Sequence, residues 1–529
     1  MLTRCVPLLV AAMLLVVSLS ASAADLGDTL KQLDTRNFRK KLEVAETIAQ
    51  SGSPRASAVL TALQHGNLYF TKADGRPVIR TDRNGPVLDA VTGDPVADAG
   101  SLDKVIINNL MRVKLRDLIA RLDLTSPDAS VRLAAARALY GDLDEDGVAR
   151  VQGLIEKEPD DDVRHALQTA VALAHLKTGD AAAKLAAMDQ LAGSLESEVR
   201  NELRAAAAND GNAEQVRQKA QDTLASIDRS VSFYQLIEQI FFGLSLGSVL
   251  LLAAIGLAIT FGVMGVINMA HGELIMLGAY TTYVVQQLMP DHIGLSLFVS
   301  VPAAFLVGGA FGVAIERTVI RFLYGRPLET LLATFGLSLI LQQMVRTVFS
   351  PLNRSVITPD WMSGSYVINP VLSITANRLV VVAFALIVFF GLVLVLKRTN
   401  LGLRVRAVAQ NRAMARAVGV RSEWVDAMTF GLGSGIAGMA GVALSQLTNV
   451  GPNLGQSYII DSFLVVVFGG VGNLLGTLTG ALTLGVANKF LEPYAGAVLA
   501  KILVLVFIIL FIQKRPRGLF PQRGRAAEG

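Results

Sequence analysis

Three side chains able to exchange hydrogen bonds or protons, Asn268, His271 and Glu273, interrupt the apolar segment FGVMGVINMAHGELIMLGAY (261–280) and straddle Gly272. An ionised carboxylate at mid-bilayer costs about 2.5–3.5 kcal/mol even on the lenient insertion scale. Glu273 therefore needs a partner, a water-filled cavity or an interfacial position, and His271 is the nearest candidate. The cluster either closes a break between two helices or lines and gates a solute path. Enzyme chemistry finds no carrier. The sequence has no G-x-x-x-x-G-K-[ST] loop for ATP and no H-E-x-x-H. Only His271 and His292 lie in the apolar half, too few for a metalloprotease. Gly433-Ser434-Gly435 suggests a serine nucleophile only superficially, because Leu432 breaks the G-x-S-G form; close packing explains it better. The N-P-A signature of water and glycerol channels is absent, since Asn369-Pro370 is followed by Val371. No cofactor and no metal are implied.

A second cluster is cationic. Between Leu379–Leu396 and Ala427–Leu447, both long enough to cross a bilayer, lies KRTNLGLRVRAVAQNRAMARAVGVR (397–421). It carries Lys397, Arg398, Arg404, Arg406, Arg412, Arg416 and Arg421 and no acidic residue. Cations resist translocation, so this loop belongs on the cytoplasmic face. Val405–Val420 is helix-forming, with small alanines over most of one surface. A short helix held between two spans is something a separate cytoplasmic motor can push or pull.

These clusters sit in the second of two unlike halves. The 529 residues are 52% hydrophobic with a mean hydropathy of +0.48. Residues up to about 230 are rich in Asp, Glu, Arg and Ala, and from Phe233 onward apolar runs of spanning length dominate. The net charge of +5 does not imply nucleic acid, because the excess cations flank spans or lie in the tail Lys514, Arg515, Arg517, Arg523 and Arg525. Arg4, the apolar run Val6–Leu19 and Ala21-Ser22-Ala23 read as a signal peptide, residues 1–23, with residues 24–230 exported. Cys5, the one cysteine, falls inside it, which leaves no disulfide or thiolate ligand in the mature chain.

The exported part reads as mostly helical, with one or two small β-hairpins in the turn-rich stretch NLYFTKADGRPVIRTDRNGPVLDAVTGDPV. Val131-Arg132, Val163-Arg164 and Val199-Arg200 mark a weak repeat, each followed by an amphipathic helix. It resembles a degenerate solenoid of the HEAT kind; an ordinary bundle is the other reading. Spans are expected near 236–258, 272–289, 295–318, 329–349, 379–396, 427–447, 461–487 and 497–513. Eight crossings would leave the basic tail outside, so a re-entrant or divided helix is expected among the glycines of 448–495. The fold class is thus an all-α polytopic membrane protein with about eight spans plus broken helices. Its membrane domain covers 231–515 and a cytoplasmic tail 516–529.

The stretches GLSLGSVLLLAAIGLAITFGVMGVINMAHGELIMLGAY, TLLATFGLSLILQQMVR, NLGLRVRAVAQNRAMARAVGV, VVVFGGVGNLLGTLTGALTLG and KRPRGLFPQRG together resemble the branched-chain amino-acid permease family of ABC importers, over about 233–522. The resemblance implies an inner-membrane permease subunit working with a second, related permease, two cytoplasmic ATPase subunits and a periplasmic solute-binding protein. It makes 404–419 the coupling helix, with Arg404, Arg406, Ala409, Asn411, Arg412, Ala413, Arg416 and Gly419 as docking residues. The exported extension resembles the urea-uptake branch. A urea path should offer amides, hydroxyls and carbonyls, for which Thr260, Asn268, Gln342, Gln343, Gln446 and Asn449 are available beside His271 and Glu273. Branched-chain amino acids or short amides are the rival solutes, and a passive small-solute channel the rival mechanism.

Overall fold

The computed structural model describes residues 26–520 apart from residues 36, 82–84, 97–99 and 142. The expected signal peptide with Cys5, and the tail cations Arg523 and Arg525, lie outside the described residues. The chain divides into two compact units after Arg229.

In the first unit, helices α1 (Phe38–Gln50) and α2 (Ala56–His65) precede a four-stranded antiparallel sheet. Its strands β1 (Leu68–Thr71), β2 (Pro77–Ile79), β3 (Leu88–Asp89) and β4 (Leu102–Lys104) lie in the order β3-β2-β1-β4. Tyr69 pairs with Val78 on one side and Lys104 on the other, so the turn-rich stretch makes one sheet rather than separate hairpins. Helices follow: α3 (Asn109–Asp123), α4 (Ala129–Ala138), α5 (Glu145–Ile155), α6 (Asp161–Thr178), α7 (Ala181–Leu191) and α8 (Ser197–Ala208). Each Val-Arg pair occupies the same place, the third and fourth residues of α4, α6 and α8. Asp128, Asp160 and Glu196 stand at the three N-caps. Arg132 and Arg164 both reach back to the carbonyl six residues earlier, Ser126 at 2.8 Å and Glu158 at 2.7 Å. α4 packs on α6 and α6 on α8. The repeat in sequence is a repeat in structure.

The division between units falls within α9 (Glu214–Met264), whose second half is apolar. The second unit continues with α10 (His271–Leu288), α11 (Ile293–Thr318), α12 (Pro327–Phe349), a hairpin of β5 (Ser365–Val367) and β6 (Ser373–Thr375), and α13 (Ala376–Arg398). Two short helices, α14 (Asn400–Gln410) and α15 (Arg412–Ala417), lead into α16 (Ser422–Ser445), α17 (Leu454–Gly469) and α18 (Leu474–Lys514). Among the described residues six helical stretches are long and apolar enough to cross a membrane. The run expected as one span at 461–487 is two elements: α17 stops at Gly469, and left-handed Gly470 and Gly472 turn the chain into α18. Only glycine adopts such φ values cheaply. α18 is itself two arms that meet at Gly496 (φ 78°).

α16 is the hub. Added β-carbons at Gly433, Gly438 and Gly441 would fall on backbone carbonyls of Gly256 in α9, Ala304 in α11 and Ile275 in α10. Lipid offers helices little hydrophobic drive to associate, so close backbone contact has to supply it. Ser434 also serves packing, being buried against Gly312.

Candidate translocation site and coupling loop

After α9 ends, Gly265 (φ 66°) reverses the chain and residues 265–270 run back without helix. The buried His271 Nε2 lies 2.9 Å from the carbonyl of Ala253, about three turns before the end of α9. α10 therefore begins inside the bundle. A helix start leaves backbone N–H groups without intrahelical acceptors, and those just ahead of α10 are met by side chains. Asn268 Oδ1 accepts from Ala270 N at 3.0 Å, and Thr334 Oγ1 accepts from Met269 N at 3.1 Å. Gly272 crosses Gly455, near the start of α17, backbone to backbone.

Glu273, 1% exposed, does not meet His271. Residues two apart on a helix point to different faces, and these two diverge accordingly. His271 turns to α9, while Glu273 Oε1 turns to α12 and accepts from Ser338 Oγ at 2.9 Å and Gln342 Nε2 at 2.8 Å. Arg346 Nη2 then donates to Gln342 Oε1 at 3.4 Å and to Asn453 Oδ1 at 2.8 Å, which ties α12 to the segment before α17. Ser338, Arg346 and Asn453 are absent from the sequence-derived set. Their signal is a four-residue period on α12: Thr330, Thr334, Ser338, Gln342 and Arg346 form one stripe. Its first four members are buried, while Leu328, Leu332 and Ile340 on other faces are exposed. Glu273 Oε2, His271 Nδ1 and Asn268 Nδ2 have no hydrogen-bond partner among the described residues.

The other expected path residues are not in this network. Thr260 spends its hydroxyl on its own helix, donating to Gly256 and Leu257 carbonyls. Gln446 follows α16 and donates to Ser445 Oγ at 3.4 Å. Gln343 and Asn449 are exposed.

The cationic loop is not one helix. Asn411 (φ −156°) separates α14 from α15 and caps α15 through Met414 N, and Gly419 (φ 89°) ends the segment. Asn favours such a cap because its side chain replaces the missing backbone acceptor. Arg412, expected among the docking residues, is engaged within the chain: its guanidinium forms a bidentate pair with the buried Asp426 of α16, at 2.7 and 2.8 Å, and stacks 4.0 Å from the Tyr324 ring centroid. Arg416 Nε donates to Ser422 Oγ at 2.6 Å, and Arg406 donates to the Leu396 carbonyl. Arg404 and Ala413 are exposed and Ala409 is half-buried. Leu403, Met414 and Val418 add an exposed apolar face that sequence reasoning passed over. Burial pushes the Tyr324 hydroxyl above its ordinary pKa, against the opposing pull of Arg412.

Residues 239–512 match the family model described as branched-chain amino acid transport system / permease component. The chain is 32% identical over 297 residues to the high-affinity branched-chain amino acid transport system permease protein BraD of Pseudomonas aeruginosa, covering 54% of this chain and 96% of that protein. It is 30% identical over 300 residues to LivH of Escherichia coli, covering 55% and 97%. The ribose import permease protein RbsC of Escherichia coli is 28% identical over 273 residues, covering 50% and 80%. No solved structure matches.

Proposed function

Because this chain belongs to the branched-chain amino acid transport permease family, we propose that it is the membrane permease subunit of an ATP-driven importer whose solute is urea. One observation carries the mechanical part: α14 and α15 are clamped to the hub helix α16 through Arg412–Asp426, while Leu403, Arg404, Met414, Arg416 and Val418 face outward. An ATPase groove that grips the outward face moves α16, and with it the glycine contacts to α9, α10 and α11. Five apolar segments from α9 to α13, then α16, α17 and the two arms of α18, give nine crossings. An odd number sets the two ends on opposite sides, and the cations of the loop and tail favour the cytoplasm for those, which supports residues 24–230 in the periplasm.

A second permease subunit, two ATPase subunits and a periplasmic solute-binding protein complete the assembly in the inner membrane. The repeated helices α4, α6 and α8 form a HEAT-like surface that docks the binding protein. Urea is the first reading because relatives covered almost end to end account for only about half of this chain, leaving the exported extension as its distinguishing feature. Glu273 Oε2, His271 Nδ1 and Asn268 Nδ2, left without partners among the described residues, are groups able to hydrogen-bond a small neutral polar solute. Branched-chain amino acids are the second reading, favoured by the names of BraD and LivH.

The test is ATP-dependent uptake by the assembled complex in proteoliposomes with its binding protein, comparing radiolabelled urea and leucine. Urea accumulation that fails with Arg404→Glu and Arg416→Glu, in a complex that still folds, is the expected result. Leucine uptake without urea uptake would overturn the solute. Solute flux without nucleotide would overturn the machine.

A further inference from the structure

A cavity of about 670 Å³ opens between the cytoplasmic ends of α9 and α13, helix α14 and the turn into α18. Phe389, Phe390 and Val393 make its wall, and Lys397 and Arg406 stand at its rim. Phe390 is 61% exposed and belongs to an outward apolar stripe with Ile387 and Leu394, so the cavity mouth opens toward the hydrocarbon. Water gains nothing along such walls, and an empty groove forfeits dispersion contacts. The groove calls for an apolar occupant. The rim calls for an anion: among the described residues no carboxylate is paired with Lys397 or Arg406, and the Arg406 guanidinium donates to the Leu396 carbonyl.

We infer that this groove holds an anionic phospholipid of the inner leaflet, one acyl chain along Phe389–Val393 and the phosphate between Lys397 and Arg406. About eight residues separate Phe389 from Lys397, roughly 12 Å of helix, enough for the upper half of an acyl chain below its headgroup. Basic pockets between membrane helices on the cytoplasmic side suit such headgroups. The lipid would touch Val405 and Ala409 of α14 and so brace the coupling loop against α13 from the bilayer side. This site is separate from the solute network and does not depend on which solute is carried.

The experiment is retention of phosphatidylglycerol by the purified, assembled complex in phosphatidylcholine nanodiscs containing a minor share of phosphatidylglycerol, read by native mass spectrometry. Two juxtamembrane cations support about a tenfold to thirtyfold preference, so Lys397→Gln with Arg406→Gln should lower retained phosphatidylglycerol by about that factor. Val393→Trp, which fills the wall and leaves the charges, should lower it as well and serves should the double variant fail to assemble. Arg515→Gln, a cation elsewhere on the same face, should leave retention unchanged. Wild-type retention in the Val393→Trp complex would overturn the proposal. So would loss of the second permease subunit from that complex with lipid retention intact, because the groove would then be a protein interface.

Discussion

The N-terminal unit and the membrane unit solve the same problem, ordering helices against one another, with different contacts. In the N-terminal unit the starts of α3, α4, α5, α6 and α7 are capped by the side chains of Asn108, Asp128, Asp144, Asp160 and Asp180. Arg132 and Glu158 join neighbouring repeats through two bonds of 3.0 and 2.8 Å. In the membrane unit α10, α11, α12, α13, α16 and α17 start without a side-chain cap bond, and glycine faces bring backbones into contact instead. The helices that start from loop turns, α14, α15 and α18, return to the aqueous pattern, capped by Thr399, Asn411 and Asn473. Solvent decides which contact is worth making: caps and ion pairs where water competes, small residues where apolar burial gives no drive.

The sharpest way to break this contrast is at a helix crossing. Gly438→Leu should cost more than about 4 kcal/mol, because its added atoms meet the Ala304 carbonyl and cannot be turned away. Yield and melting temperature of monodisperse protein in detergent are the readouts. Gly391→Leu, with open space around it, should behave as wild type. A folded Gly438→Leu protein would mean that the hub is not held by backbone contact.

Next in size is the bidentate charged clamp between the loop and the hub. Asp426→Asn leaves Arg412 half-buried without its countercharge and should cost about 2–3 kcal/mol. Faster proteolytic cutting within 411–421 would report it. Unchanged cutting would show that Tyr324 and the Arg416–Ser422 bond hold the loop alone. Gln342→Leu is milder, removing one of two hydrogen bonds to Glu273, and should cost about 1–2 kcal/mol in thermal denaturation. A stabilised variant would instead mark that bond as strained.

Much of this was legible in the chain. Span-length apolar runs, the basic loop and the glycine-rich break in 448–495 come from composition and periodicity, which are local properties. The repeated Val-Arg pairs located equivalent helix starts because a cap and its first turn are encoded within a few residues. What sequence could not rank were partners distant along the chain. Glu273 meets Ser338 and Gln342, 65 and 69 residues away, whereas His271, two residues away, is turned aside by helical geometry. Arg412 stood among the expected docking residues with no partner named, because nothing nearby in sequence announces Asp426, which lies across the turn at Gly419. The four-residue stripe on α12 was available to a count of period and escaped because its members differ in type.

The smallest expected effect separates two carboxylates within the N-terminal unit. The hydrogen bond from Arg132 holds Glu158 below the ordinary glutamate range, while burial pushes Glu196 above it, against the pull of Arg137. The signs are opposite. For Glu158 the folded pKa lies below the unfolded one, near about 4.3, so its contribution is complete above that value and is lost as pH falls through the folded pKa. For Glu196 the folded pKa lies above the unfolded one, so its contribution is present below about 4.3 and is lost as pH rises through the folded pKa. Hydrogen exchange of the full-length protein, corrected for intrinsic rates, should therefore show residues 126–164 losing protection only toward the acid end. The start of α8 should gain protection over the same descent. Glu158→Gln should flatten the first response and leave the second, because the Arg137–Glu196 pair at 3.5 Å is a separate joint. Parallel responses at both joints would mean that the repeats titrate as one body, and that the ion pair contributes no local clamp of its own.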